Sequence, residues 1–250
     1  MRFVVPPLVW RWLLVFALFL LWQVASQLGL VNAFTLPAPL DIAASLGGLW
    51  RDDDILGATL RTAAETLAAG AIAAVLGIAL GWWLHHVPAA GRAFTHWFAA
   101  LAAAPLVLVY PIFLVIIGRN AGTIVIMGVI AALPPIVLKT HEGLQAVRPV
   151  LIAVGRSMRL SRRRLFTTIQ LPAALPTIFT GLRLGLVFAL INTVGVEFLL
   201  GFGGLGELVS DLGDRFDLAA MYGAILFVVA VSAGFLIVIE KTESWLLSHR

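Results

Sequence analysis

Six polar residues stand inside otherwise apolar runs: Arg61 and Glu65, Arg183, and Asn192, Thr193 and Glu197. Polar and ionisable groups in such surroundings are expensive to bury and are functional candidates by default. Arg61 and Glu65 are four apart, so on a helix they share a face and can pair as ions. A structural ion pair is the plainer reading, a functional site the sharper one. Arg183 can attract an anion, or its long stem can carry the charge back to a polar boundary; both readings stand. Asn192 and Glu197 are five apart, about 140° round a helix, and need not share a face. Glu197 repels an anion unless it is paired or protonated, so gating or packing suits it as well as contact with a solute.

Other chemistry is missing. Cysteine is absent, which removes disulfides, Cys-ligated zinc and thiol nucleophiles. The two lysines, Lys139 and Lys241, lie in no Gly-x-x-x-x-Gly-Lys-Ser/Thr setting, so no phosphate-wrapping loop is present. There is no His-Glu-x-x-His pair, and the neighbours His85 and His86 cannot face one site on a helix; they read as a membrane-boundary feature. The chain is therefore read as non-catalytic, with no cofactor or metal of its own.

The elements that position these residues follow from composition. Of 250 residues, 61% are hydrophobic and only 12% charged, with a mean hydropathy of +1.01. That excess exceeds what a soluble domain of this length can bury, so lipid takes part of it. The pI is near 10.3, but a net charge of +4 is too small for a general nucleic-acid binder. Crossing a bilayer takes roughly 20 helical residues. Six uncharged or nearly uncharged runs qualify: Arg11 to Val31, about Gly57 to Leu84, Trp97 to Gly118, Ala121 to Leu138, about Ala173 to Leu200, and Leu218 to Ile239. None alternates at period two, so helices rather than barrel strands are expected. The expectation is an all-α polytopic membrane protein, one transmembrane domain over residues 1–250. Arg2 and a short apolar stretch also fit a signal peptide, but the apolar run passes Ser26 with no small-residue cleavage site, so the first run is kept as a helix.

Lys and Arg set the orientation. With the N-terminus inside, the inner segments hold Arg2, Arg11, Arg92, Lys139, Arg148, Arg156, Arg159, Arg162, Arg163, Arg164, Lys241 and Arg250. The outer ones hold only Arg51, Arg119 and Arg215, beside Asp41, Asp52, Asp53, Asp54, Glu207, Asp211, Asp214 and Asp217. Both termini are expected in the cytoplasm. Ala69, Ala73, Gly77 and Gly81 make one small-residue stripe on the second run, echoed by Gly181 and Gly185 on the fifth; close packing inside one bundle is favoured over a dimer face. Pro105, Pro111, Pro134 and Pro135 should bend or end the third and fourth runs.

The long basic connection from Thr140 to Pro172 is the most informative stretch. Pro149 can begin a helix whose Val150, Leu151, Val154 and Met158 share an apolar face. Ser161 can cap a second short helix through Arg162 to Thr168, with Leu171-Pro172 breaking it before the next run. Two short helices along the inner surface form a knob that a cytosolic partner can grip; an ordinary interfacial loop is the bland alternative.

This connection resembles the EAA motif of the permease subunits of bacterial ABC importers, written E-A-A-x3-G-x9-I-x-L-P. Ile169, Leu171 and Pro172 match its end, which puts the motif's glycine at Arg159 and its E-A-A at Ala153, Val154 and Gly155. Arg156-Ser157-Met158, Leu165-Phe166 and Pro172-Ala173-Ala174-Leu175-Pro176 are similar to the nitrate/sulfonate/taurine branch. So are Leu36-Pro37-Ala38-Pro39, Ala104-Pro105, Gly143-Leu144, Val147-Arg148-Pro149, Gly181-Leu182-Arg183, Glu197 and Gly204-Leu205-Gly206, which together span nearly the whole chain.

The resemblance implies a type I ABC importer permease in the bacterial inner membrane. It implies a second permease copy, two ATPase subunits docked on residues 140–172, and a periplasmic substrate-binding protein. ATP and Mg would then be held by the ATPase partner. The expected solute is a small oxyanion such as a sulfonate, taurine, nitrate or bicarbonate, although the branch also handles vitamin-precursor heterocycles. In the family the fifth helix lines the path, which makes its Arg183, Asn192, Thr193 and Glu197 the pathway candidates; Arg61 and Glu65, on the second run, are kept beside them with a structural ion pair as the plainer reading. Two positions depart from the motif: Ala153 stands for its Glu and Arg159 for its turn Gly. A left-handed backbone is costly for arginine, so the turn at Arg159 is expected to take another geometry. A stand-alone secondary transporter or channel is the rival reading, weakened by the few intramembrane carboxylates; a membrane enzyme or scaffold has no catalytic constellation to support it.

Overall fold

A computed structural model describes residues 7–32, 34–51 and 53–248. Arg2, Asp52 and Arg250, counted above among the boundary charges, lie outside the described residues. Eleven α-helices follow in order: α1 Pro7–Gln27, α2 Pro39–Arg51, α3 Ile55–His86, α4 Pro88–Ala103, α5 Tyr110–Ile117, α6 Ala121–Gln145, α7 Pro149–Ser157, α8 Arg162–Leu165, α9 Leu171–Leu200, α10 Gly204–Asp214 and α11 Leu218–Ser248. No strand occurs among the described residues. Five helices (α1, α3, the one ending in α9, α6 and α11) are long and apolar enough to cross a membrane, and α4 with α5 makes a sixth, bent span.

The centre is a bundle of α3, α6 and α9, and small residues explain it. Gly77 of α3 lies against Ile136 of α6, Gly81 against Thr140 and the Val137 carbonyl, and Ala69 against Gly128. From α9, Gly181 packs on Lys139 and the Pro135 carbonyl, and Gly185 on Ile136 and the Ala132 carbonyl. A Cβ at Gly81 would stand 2.7 Å from the Val137 oxygen, closer than real contacts allow. Without a hydrophobic drive between helices in lipid, this close approach supplies the dispersion contacts that hold them together. Both small-residue stripes therefore face partners within the chain. By contrast α1 is covered by almost nothing in this chain.

Three expectations about elements change. The third span is not one rod: α4 starts at Pro88, ends at Ala103, and meets α5 across Pro105 and a 3-10 turn, Leu106–Val109, at a bend of 89°. Pro105 has no N–H to continue α4, and Pro111 sits in the first turn of α5, where no partner is needed. Pro134 and Pro135, in contrast, do not end α6, which continues to Gln145.

The second change is at Gly201 to Asp217, a glycine-rich, acidic stretch open in sequence to two readings, part of a surface where a binding protein docks or a flexible solvated turn. It contains α10, whose Leu205, Leu208, Val209 and Leu212 are buried with Leu49 of α2, Ile55 of α3 and Ala220 and Ala224 of α11. The helical spacing of those apolar residues is masked by the glycines and acids between them. The third is at Leu171-Pro172, which does not break the chain's helix. A π turn, Phe166–Gln170, joins α8 directly to α9, with the Leu171 N–H donating to the Phe166 carbonyl. The wider i→i+5 turn accommodates a proline that offers no N–H at the next position.

Candidate functional site

The two ends of the bundle carry the polar chemistry. At one end the connection 146–170 folds into α7, a turn, α8 and the π turn. Pro149 stands in the first turn of α7, and the Ser161 hydroxyl accepts from the Arg164 N–H at 3.4 Å, capping α8. Between them Arg159 has φ of +53°, with its N–H on the Arg156 carbonyl at 2.9 Å and the Leu160 N–H on the Gly155 carbonyl at 3.1 Å. That paired pattern closes a helix through one left-handed residue. So the turn keeps the left-handed geometry despite arginine, against the expectation of another shape, because both exposed carbonyl ends of α7 are satisfied by it.

Gly155 is the position where space is short: a Cβ there would meet Leu165 and Ile169 side chains, the latter at 2.7 Å. Glycine lets α7 lie on the π turn. Ile152, Phe166 and Leu171 pack beneath it with buried Leu144, Val147, Ala174 and Ile178. On the other side, Val150, Leu151, Val154 and Met158 are all exposed, Met158 by 67%. Ala153, too, is exposed, while Ile169 and Leu171 are half-buried and Pro172 is exposed at the start of α9. The apolar face read in the sequence thus points away from this chain.

At the opposite end, α10 is fastened by its first turn. A helix N-terminus leaves N–H groups without internal partners and carries partial positive charge. The Leu205 N–H donates to Thr62 Oγ1 at 2.8 Å, and the Gly206 N–H to Glu197 Oε2 at 2.9 Å. Thr62 in turn donates to Glu197 Oε2 at 2.9 Å, and the Gly203 N–H donates to Glu207. Gly201, Gly203 and Gly204 all have positive φ, which glycine alone tolerates cheaply; they turn the chain back so that the N-terminus of α10 lands on Glu197. Glu197 is fully buried and its carboxyl meets that of Glu65 on α3. Arg61 pairs with Glu65 at 3.5 Å and lies over the Phe202 ring at 4.7 Å. It also borders a cavity of about 490 Å³ with Asp53, Asp54, Glu207, Asp211 and Arg215.

Arg61, Glu65 and Glu197 are thus brought together, but the remaining residues read as pathway candidates are not. Arg183 belongs to the other half of the bundle, where it pairs with Glu243 at 3.4 Å and Glu240 at 3.7 Å on α11. It neither stands free for an anion nor merely reaches for water; it ties α9 to α11. Thr193 is fully buried against Gly128 of α6, and Asn192 is buried beside it. Thr62, the pivot of the network around α10, is absent from the sequence reading. Its one cue is a threonine next to Arg61 and a turn before Glu65 in an apolar run.

The family of binding-protein-dependent transport system inner membrane components matches residues 73–241. The chain belongs to that family. The permease is 29% identical over 227 residues to the bicarbonate transport system permease protein CmpB of Synechocystis, which covers 85% of this chain and 79% of that protein. It is 32% identical to the glycine betaine/proline betaine permease protein ProW of Escherichia coli over 88% of this chain, and spans 59% of ProW's length. Its fold superposes on a chain of the inward-facing MetNI methionine ABC transporter with a TM-score of 0.65 over 78% of this chain and 95% of that one, at 18% identity.

The permease is therefore the non-catalytic translocation subunit of an ABC importer, a multi-pass membrane protein that works with an ATPase and a binding protein. A free-standing carrier is not favoured. The family match begins at Ala73, inside α3, and ends at Lys241, inside α11, so it contains the whole of α4 to α10. Glu197 and Gly204-Leu205-Gly206, quoted above for the resemblance, acquire a structural cause. The carboxylate caps α10, and a Cβ at Gly206 would stand 2.6 Å from the Phe198 backbone nitrogen.

Proposed function

We propose that residues 149–170 are the handle by which ATPase subunits drive this permease, and that the solute it imports is a small anion. The single observation behind the handle is the pairing of an exposed apolar face on α7 with a helix that runs unbroken from α8 through the π turn into α9. A grip on α7 is passed to α9 through backbone, not through side-chain contact alone. Two such permeases would enclose one path. The uncovered faces of α1 and of α5, where Val115 is 86% exposed, offer surface for a second copy or for lipid. Positive charge on the side of residues 140–172 supports a cytoplasmic position for it and for both termini. ATP and Mg belong to the ATPases, and the acidic outer cavity to the side where a binding protein delivers its load. The anion reading rests on relatives named for bicarbonate, nitrate and aliphatic sulfonates. ATP must favour one of two pathway states for such a cycle to move anything.

Replacing Val154 by Asp puts a charge in the middle of the exposed face. In proteoliposomes holding the permease with its ATPase and binding protein, solute uptake should fall at least tenfold while the bundle keeps its melting temperature. Uptake at the original rate would remove α7 from the coupling. Uptake by liposomes carrying the permease alone would restore the free-carrier reading. Asn192 and Thr193, buried against α6, are proposed as packing residues of the path-lining helix.

A further inference from the structure

We propose that the cavity between α3, α4 and α6, at the end of the bundle that carries α7, is a binding site for an oxyanion of the phosphate or sulfate type. The cavity measures about 790 Å³ and is walled by His85 of α3, Arg92 and His96 of α4, and Lys139, His141 and Gln145 of α6. It forms because α3 stops at His86 and α4 starts at Pro88, a corner of one residue that the last turns of α6 cross. One carboxylate borders it, Glu142, which is paired with Lys139 at 2.8 Å. Arg92 is exposed and has no ion-pair partner among the described residues.

His141 gives the site its polarity. It is 7% exposed, and its Nε2 lies 3.0 Å from Gln145 Nε2. An amide NH₂ only donates, so the imidazole Nε2 accepts and the ring hydrogen stays on Nδ1. That Nδ1 has no partner, and neither has the buried Nδ1 of His85. Arg92, Lys139 and the His141 Nδ1–H thus stand against one carboxylate, Glu142, the reverse of what a cation requires. A metal is disfavoured on geometry as well: no three His, Asp or Glu among the described residues are placed to share one. An oxyanion satisfies such a wall through charge-assisted hydrogen bonds.

The level of the cavity names its possible sources. Trp82 and Trp83, both partly exposed, precede it by about one turn, and indoles favour the lipid headgroup region. A basic pocket between helices there takes lipid phosphates, and a free oxyanion has the same chemistry. The site also adjoins the coupling element: the Trp82 and His86 rings stand 6.4 and 6.0 Å from the Phe166 ring of the π turn.

The full chain, labelled at histidine Cε1 and held in phosphatidylcholine nanodiscs, is titrated with sodium sulfate against chloride at constant ionic strength. Saturable shifts of the His85 and His141 resonances support a free oxyanion. The same shifts with no sulfate, in discs containing phosphatidylglycerol, support a headgroup. In either arm the Arg92→Gln/Lys139→Gln double variant, whose side chains are not buried, should bind about tenfold or more weakly, the size expected for lost charged hydrogen bonds. Arg51→Gln, on α2, should bind as the parent does. Absence of saturable shifts with both probes, or equal affinity in the double variant, would overturn the site.

Discussion

The two ends of the bundle are built on opposite plans. Around α10 a polar network is closed inward: Glu197 and Thr62 take the free N–H groups of a helix, and apolar residues of α2, α3 and α11 seal them. Around α7 an apolar face is left open outward, supported from beneath by Gly155 and the π turn. The first plan fixes an element to its own chain. The second leaves one uncovered, as the handle proposed above requires. A two-state transporter needs both, since a moving part has effect only against a part that stays.

Substitutions can break this contrast. The largest effect is expected for Glu197→Ala, which orphans the Thr62 hydroxyl and the Gly206 N–H in a buried place and should cost about 2–4 kcal/mol. The readout is thermal unfolding in detergent, with early proteolysis between Gly201 and Gly204; Glu197→Gln, which keeps an acceptor, should lose much less. Equal melting of the Ala variant and the parent would show that α10 is held by its apolar face alone. Next is Arg159→Gly, with a gain of about 0.5–1 kcal/mol from relief of the left-handed backbone. It is read as a raised melting temperature with uptake preserved, and a loss of stability would mean that the arginine side chain matters more than its backbone. Smallest is Arg183→Ala. Its pairs are partly exposed, so about 0–1 kcal/mol is expected, with transport affinity for the solute unchanged. A raised KM without a change in melting temperature would return Arg183 to the pathway.

The sequence makes the spans legible because lipid imposes a length and a charge rule that no tertiary contact overrides. Five of the six runs correspond to single helices and the third to the bent pair α4 and α5, and Ala69, Ala73, Gly77 and Gly81 announce the α3–α6 contact through size alone. What it hides is local backbone geometry. Whether Pro105 folds a span through 89° while Pro134 and Pro135 leave α6 intact depends on which neighbours satisfy freed carbonyls, and residue type does not encode that. Arg159 shows the same limit, since two carbonyls of α7 decide its φ. Glu197 is visible as a buried charge, but its partners lie 135 residues away at Thr62 and just beyond the turn at Gly206. Arg183 misleads for a related reason: Glu240 and Glu243 read as an ordinary helix end until α11 is laid beside α9.

Continuity through the widened turn at Phe166–Gln170 has a mechanical corollary. From Arg162 to Leu200 the helix is about 58 Å long at 1.5 Å per residue. Tilting such a rod by about ten degrees around its lower end sweeps its tip sideways by about 10 Å, close to one helix diameter. On the handle proposed above, a small stroke near Ser161 would be magnified at Leu200 and carried into α10 by Glu197, whose carboxylate holds the first turn of that helix.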